Sequence, residues 1–180
     1  MLLRTCPAVL PVILAFAGPA QAQAIERFER HATLPIARTV QVPQTAETLY
    51  LSGEVASPIA AAGAHGEAPE FGDTETQTLS VFRKIERTLR DRGYALGDVV
   101  KLTVFLVGVP EKSGRLDMDG FTRAYVRYFG TAAQPHLPAR STVQVAGLSQ
   151  PGYLVEIEAT AARSGRAMLG DLARPAPSHD

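Results

Sequence analysis

Pro138-Ala139-Arg140-Ser141-Thr142-Val143-Gln144-Val145, followed by Leu154-Val155-Glu156-Ile157-Glu158-Ala159, is the stretch that decides the fold of this 180-residue chain. Both segments are rich in β-branched residues and read as strands. Gly147-Leu148-Ser149-Gln150-Pro151-Gly152 between them is turn-forming, so the pair reads as a closing hairpin. Side chains alternate along a strand, which places Tyr153, Val155, Ile157 and Ala159 on one face and Leu154, Glu156, Glu158 and Thr160 on the other. The first set reads as core. The second carries two carboxylates, and Arg140 opens the preceding strand. A guanidinium grips a carboxylate through a planar fork of donors, and a nearby Glu can handle a water or a proton. Arg140 and Glu156 together outline a small-molecule site.

Upstream, Val99-Val100-Lys101-Leu102-Thr103-Val104-Phe105-Leu106-Val107 is the strongest strand, apolar enough on both faces to be central in a sheet. A helix precedes it, capped by Asp73 or Thr74, with Leu79, Phe82, Ile85 and Leu89 at helical spacing and Gly93 as its stop. The spacing of Leu116, Phe121, Ala124, Tyr125 and Tyr128 predicts a second helix over 114–129, closed by Gly130. Thr39-Val40-Gln41-Val42 and Thr48-Leu49-Tyr50-Leu51-Ser52 read as a first hairpin, and Gly53 after them as a point of close backbone approach. Residues 23–35 read as irregular, 57–72 as an exposed loop rich in Ala, Gly and Pro, and 163–180 as a frayed tail. The order β β α β α β β predicts an α+β domain with one sheet and two helices. Two helices cover one face, so the other, with Lys101, Thr103, Phe105, Glu156 and Glu158, predicts a homo-oligomer packed through the sheet with sites at subunit boundaries.

The 18 basic and 18 acidic residues cancel, leaving no electrostatic footprint for nucleic acid or an anionic membrane. Residues 1–22 have the plan of a cleaved signal peptide: Arg4, an apolar run from Ala8 to Ala17, then Ala20-Gln21-Ala22 and Ala22-Gln23-Ala24 as small-residue cleavage sites. Pro7, Pro11 and Pro19 oppose a buried core helix, and the run is short for a membrane span. The expected destination is periplasmic or secreted. Cleavage removes Cys6, the single cysteine, and with it any disulfide, thiol nucleophile or thiolate metal site. His31, His65, His136 and His179 show no ligand spacing, so no metal site is expected. Gly147-Leu148-Ser149-Gln150-Pro151 lacks the last glycine of a nucleophile elbow and reads as a turn. Glu156 has an equally good reading as an edge-strand charge that blocks pairing between sheets, and Arg140 as a surface cation.

Five segments in order resemble the Rid (YjgF/RidA) family of reactive-intermediate deaminases over residues 34–162: Leu51-Ser52-Gly53-Glu54, the helix from Gln77 to Gly93 leading into Gly97–Leu106, Ala124–Phe129, Pro138–Val145 and Val155–Ala159. The resemblance implies the fold of chorismate mutase of the Bacillus type: one mixed sheet with two helices on one face, assembled as a homotrimer with clefts between subunits. It implies hydrolysis of carboxylate-bearing enamines and imines such as 2-aminoacrylate to 2-oxo acids and ammonia, without a cofactor. By motif position, Arg140 would bind the substrate carboxylate, Glu156 would position the attacking water, and Gly53 and Thr142 would line the cleft through backbone groups. Archetypal members carry a Tyr in the segment aligned with Ile36–Gln41, where this chain has Thr39.

Three functions follow in order of preference. The first is an imine or enamine hydrolase acting on a small carboxylate compound. The second is a non-catalytic protein that binds a small carboxylate metabolite in the same cleft, favoured by Thr39 in place of Tyr. The third, nucleic-acid processing as in some relatives, is disfavoured by the neutral charge and the export signal.

Overall fold

The computed structural model describes residues 23–60 and 68–164, so the signal-like segment, part of the 57–72 loop and the tail beyond Ser164 lie outside the described residues. The chain forms β1 (Glu26–Arg30), β2 (Ala37–Gln41), β3 (Ala46–Val55), α1 (Thr74–Asp91), β4 (Val99–Val109), β5 (Arg115–Leu116), α2 (Met118–Tyr125), β6 (Ala139–Val145) and β7 (Val155–Ser164). The strands make one mixed sheet in the order β1-β2-β6-β4-β7-β3, with β5 pairing β4. The α+β class with one sheet and two helices is as the sequence indicates.

The pairing departs from the two expected hairpins. β4 lies between β6 and β7, parallel to the first and antiparallel to the second. β2 likewise pairs with β1 and β6, and β3 with β7. The cause is in β4 itself. Its Leu102, Val104 and Leu106 are fully buried, and a strand this apolar gains most when neighbours occupy both of its edges. Turn-rich linkers show that two strands are close in sequence, not that they pair. β1 falls in the stretch expected to be irregular, because Glu-Arg-Phe-Glu-Arg has no apolar alternation. Pairing to β2 orders it, and so does the Arg27 guanidinium, which donates to the Gly97 carbonyl at 2.7 Å. β7 also continues through Arg163 and Ser164, two residues into the expected tail.

α1 begins where Asp73 accepts a hydrogen bond from the Thr76 N–H at 2.8 Å. It ends in a Schellman motif, with the Gly93 N–H donating to Arg90 O at 3.0 Å and the Tyr94 N–H to Leu89 O at 2.8 Å; Gly93 holds φ 75°, which glycine adopts without penalty. α2 is shorter than the expected 114–129. Ser113 turns left-handed at φ 56°, Arg115–Leu116 pair with β4, and Asp117 caps the helix by accepting from the Gly120 N–H at 3.1 Å. The helices meet through Phe82, whose ring centroid lies 6.1 Å from Tyr125, 5.1 Å from Tyr128 and 5.5 Å from Phe129. Buried Gln77 donates to the carbonyls of Gly72 (3.0 Å) and Gly152 (2.8 Å) and accepts from the Leu154 N–H (2.8 Å). One amide thereby ties α1 to the entry of β7.

Two outcomes test this packing. Phe82→Ala removes the ring shared by both helices and should cost about 3–5 kcal/mol in denaturant unfolding. Asp73→Ala should cost about 1 kcal/mol at neutral pH. The Thr76 N–H holds the Asp73 carboxyl below its ordinary pKa. The cap's contribution is therefore full above the unfolded aspartate value and fades as pH falls through the lowered folded one, so the two proteins should converge in acid.

Candidate functional site

On β6, Arg140 stands opposite Leu102 and Thr142 opposite Val104, so both side chains belong to the helix-facing side of the sheet. α2 supplies a floor for the guanidinium, whose carbon lies 4.6 Å from the Tyr125 ring centroid and 4.9 Å from that of Phe121. Aromatic faces attract a cation while offering it no hydrogen-bond acceptor. Arg140 Nη1, Thr142 Oγ1 and the Tyr125 hydroxyl are all buried without a hydrogen-bond partner among the described residues. Burying polar groups without a partner is costly, which makes these three the candidate ligand-binding group. Burial lowers the Arg140 pKa, with Tyr125 opposing. Burial also pushes the Tyr125 phenol well above its ordinary value, against the pull of Arg140 and Arg30. Tyr125 thus stays a neutral hydroxyl.

Glu156 has the opposite orientation. On β7 it stands opposite Phe105 of β4 and Val55 of β3, on the uncovered face with Lys101, Thr103 and Glu158. β7 is an interior strand, which removes the reading of Glu156 as an edge-strand guard. β3 bulges beside it, the register shifting between Leu51 and Glu54. A Cβ placed on Gly53 would overlap the Glu156 carboxylate. The close approach expected at Gly53 is therefore to Glu156, and glycine is the residue that admits it.

The structure groups the expected site residues differently from the sequence reading. Gly53 joins Glu156, and Arg140 joins Thr142. Arg140 and Glu156 do not meet within one chain: β4 separates their strands by two spacings, about 10 Å, and they leave opposite faces. Thr39 is exposed on β2, opposite Phe28 of β1 and three strands from β7. The helical spacing of Phe121 and Tyr125 carries no sign that they form the floor beneath Arg140. The shared parity of Arg140 and Thr142 was visible; the strand order that separates them from Glu156 was not. Gln77, which anchors the approach to Glu156, entered the sequence reading only as the start of a helix.

The family model described as "Endoribonuclease L-PSP" matches residues 29–163, starting inside β1 and ending in β7, a slightly wider span than 34–162. A RutC family protein of Pyrococcus horikoshii is 34% identical over 137 residues, covering 74% of this chain and 94% of the relative. A RutC family protein of Leuconostoc mesenteroides is 33% identical over 116 residues, covering 63% and 78%. Among solved structures, a Rid-family protein of unknown function from Yersinia pestis superposes with TM-score 0.57 at 24% identity, covering 77% of this chain and 98% of that one. A protein of unknown function from Pseudomonas aeruginosa gives 0.52 at 32% identity, covering 78% and 93%. With a family match over most of its length, a relative a third identical across nearly the same span and the same fold in solved relatives, the chain belongs to the endoribonuclease L-PSP (YjgF/Rid) family.

Proposed function

We propose that this protein is an exported, cofactor-independent hydrolase of small carboxylate-bearing imines and enamines, with sites completed between copies of a homotrimer. The observation that carries this reading is the half-buried guanidinium of Arg140, laid on two aromatic rings with its buried Nη1 unpartnered among the described residues. That is the environment in which a bidentate carboxylate contact contributes most. Glu156, held against Gly53 on the other face, supplies the acceptor for a water. One chain presents the two groups on opposite faces, so a single small substrate can touch both only when one group comes from a neighbouring copy. The open face around Lys101, Thr103 and Glu158, with a depression of about 280 Å³, is the surface through which the copies would pack.

In this reading Arg140 holds the substrate carboxylate and thereby aims the imine carbon at the water on Glu156. Glu156 takes a proton as the water oxygen bonds to carbon and the C=N electron pair moves to nitrogen, giving a carbinolamine. Proton return to nitrogen and departure of ammonia leave the 2-oxo acid. Positioning does most of the work, because a protonated imine is already electrophilic. The description of the matched family concerns an endoribonuclease, but the 18:18 charge balance gives no net positive charge to draw RNA. The second reading, capture of a carboxylate metabolite without turnover, is favoured by Thr39 where archetypal members have Tyr.

Release of 2-oxo acid from a panel of enzymatically generated imino acids tests the proposal, using protein that starts at residue 23. Arg140→Ala should lower kcat/KM about 10- to 100-fold, and Glu156→Gln about 100-fold or more. Silence of the wild type across the panel, with ligand binding still lost in Arg140→Ala, would select the binding-protein reading. Co-refolding the two inactive variants should regain activity, because a mixed assembly contains intact sites only if Arg140 and Glu156 come from different chains. Gly53→Ala should reduce turnover to the level of Glu156→Gln at little cost in stability, since the overlapping group is the end of a flexible side chain.

A further inference from the structure

A hollow of about 250 Å³ opens between Arg27, Phe28 and Arg30 of β1 and Pro135, His136 and Leu137 of the segment leading into β6. No residue of the Arg140 group lines it. Ala37, also in its wall, is in register with Ala139, so it belongs to the sheet face opposite to Arg140. The hollow is therefore separate from the Arg140 group. One backbone oxygen fixes Arg27 and His136 side by side: the Gly97 carbonyl accepts from Arg27 Nη2 at 2.7 Å and meets His136 Nδ1 at 3.2 Å. Gln134 steadies the His136 side, accepting from the His136 N–H at 2.7 Å and donating to the Tyr128 carbonyl at 3.1 Å. The other wall is held by the β1–β2 ladder, which pairs Arg27 with Val40 and Arg30 with Ala37.

These contacts position the Arg27 guanidinium without neutralising it, because a carbonyl brings a dipole and no counter-charge. Arg27 Nε is buried without a partner among the described residues. Asp98, whose charge reaches Arg27, is engaged by the Ala95 N–H at 2.8 Å. Arg30 forms no ion pair among the described residues, its neighbour Glu29 being engaged by Arg38 at 3.6 Å. No lining residue is acidic. Two arginines at one hollow without an acid repel each other until an anion arrives, and the planar fork of a guanidinium suits phosphoryl oxygens. We infer that the hollow is a second, independent binding site, for a small phosphate monoester. Arg27 and Arg30 grip the phosphoryl oxygens, and Phe28, Pro135 and Leu137 take the carbon body. A phosphoryl group carries close to two negative charges at neutral pH, matching two guanidiniums, where a carboxylate carries one. The volume lies below the usual range for drug-sized ligands and limits the body to roughly one ring.

Calorimetric titration of the assembled protein with phenyl phosphate and with inorganic phosphate, at constant ionic strength, tests the site without requiring turnover. Phenyl phosphate should bind several-fold more tightly than inorganic phosphate, because the apolar wall receives the ring. Arg30→Ala, at an exposed position of the rim, should weaken it about tenfold, and Arg30→Lys should retain part of the affinity. Arg27→Gln should weaken it at least as much, and Arg140→Ala should bind it as the wild type does. Equal affinities for the two probes would overturn the monoester assignment and leave a site for free phosphate. A wild type that binds neither probe, or binding that survives both the Arg27 and the Arg30 variants, overturns the site. Loss in Arg140→Ala alone would place the phosphate on the Arg140 group and overturn it likewise.

Discussion

The need of β4 for a neighbour on each edge organises the molecule. A strand with Leu102, Val104 and Leu106 fully buried cannot lie at a sheet margin without losing apolar contact and leaving ladder groups unpaired. It therefore separates β6 from β7, two strands that follow each other in sequence. The parallel and antiparallel partners on its two edges carry Arg140 and Glu156 respectively. Since β4 registers Leu102 with Arg140 and Phe105 with Glu156, the two groups leave the sheet in opposite directions. The division of the site into two halves follows from the pairing of the central strand.

Each half is stiffened by a different element. On the covered face, α2 is only eight residues long and has little stability of its own; Phe82 of α1 and the Asp117 cap locate it. Glu75 binds it from the first turn of α1, accepting from Arg123 at 2.7 Å and Arg127 at 2.8 Å. These contacts hold the Tyr125 and Phe121 rings beneath Arg140. Toward Glu156, Gln77 of α1 holds the segment that enters β7, and on the uncovered face the β3 bulge brings Gly53 against Glu156. Lys84 supports the end of that bulged strand by donating to the Val55 carbonyl at 2.8 Å. Core packing and the geometry of the candidate site share the same residues, so a helix-packing defect would also reach Arg140.

Much of this was legible in the sequence because it depends on local periodicity. The apolar alternation of Val155, Ile157 and Ala159 predicts their burial, and the 3.6-residue spacing of Phe82, Ile85 and Leu89 predicts the buried face of α1. Asp73 and Gly93 mark the ends of that helix through side-chain and backbone chemistry contained in one turn. The pairing of Gly53 with a close neighbour was visible as well, because a glycine ending a strand has few other reasons to be there. α2 was overextended since Leu116 and Tyr128 fit the helical period even though one is in β5 and the other follows the last helical turn. β1 was invisible because a strand of charged residues carries no alternation signal.

Strand order, by contrast, is a long-range choice, decided by which edges gain most from pairing over the whole sheet. By itself the sequence determined the fold class, the core faces and the chemical identity of the groups at the candidate site: a guanidinium, a carboxylate and a glycine, each recognisable from its strand. The tertiary structure alone decided that Arg140 rests on aromatic rings beside Thr142, that Glu156 is interior to the sheet and pressed to Gly53, and that these two groups face away from each other. Composition and period are local properties that a chain states once per residue, whereas facing and neighbourhood exist only after distant strands have chosen their partners.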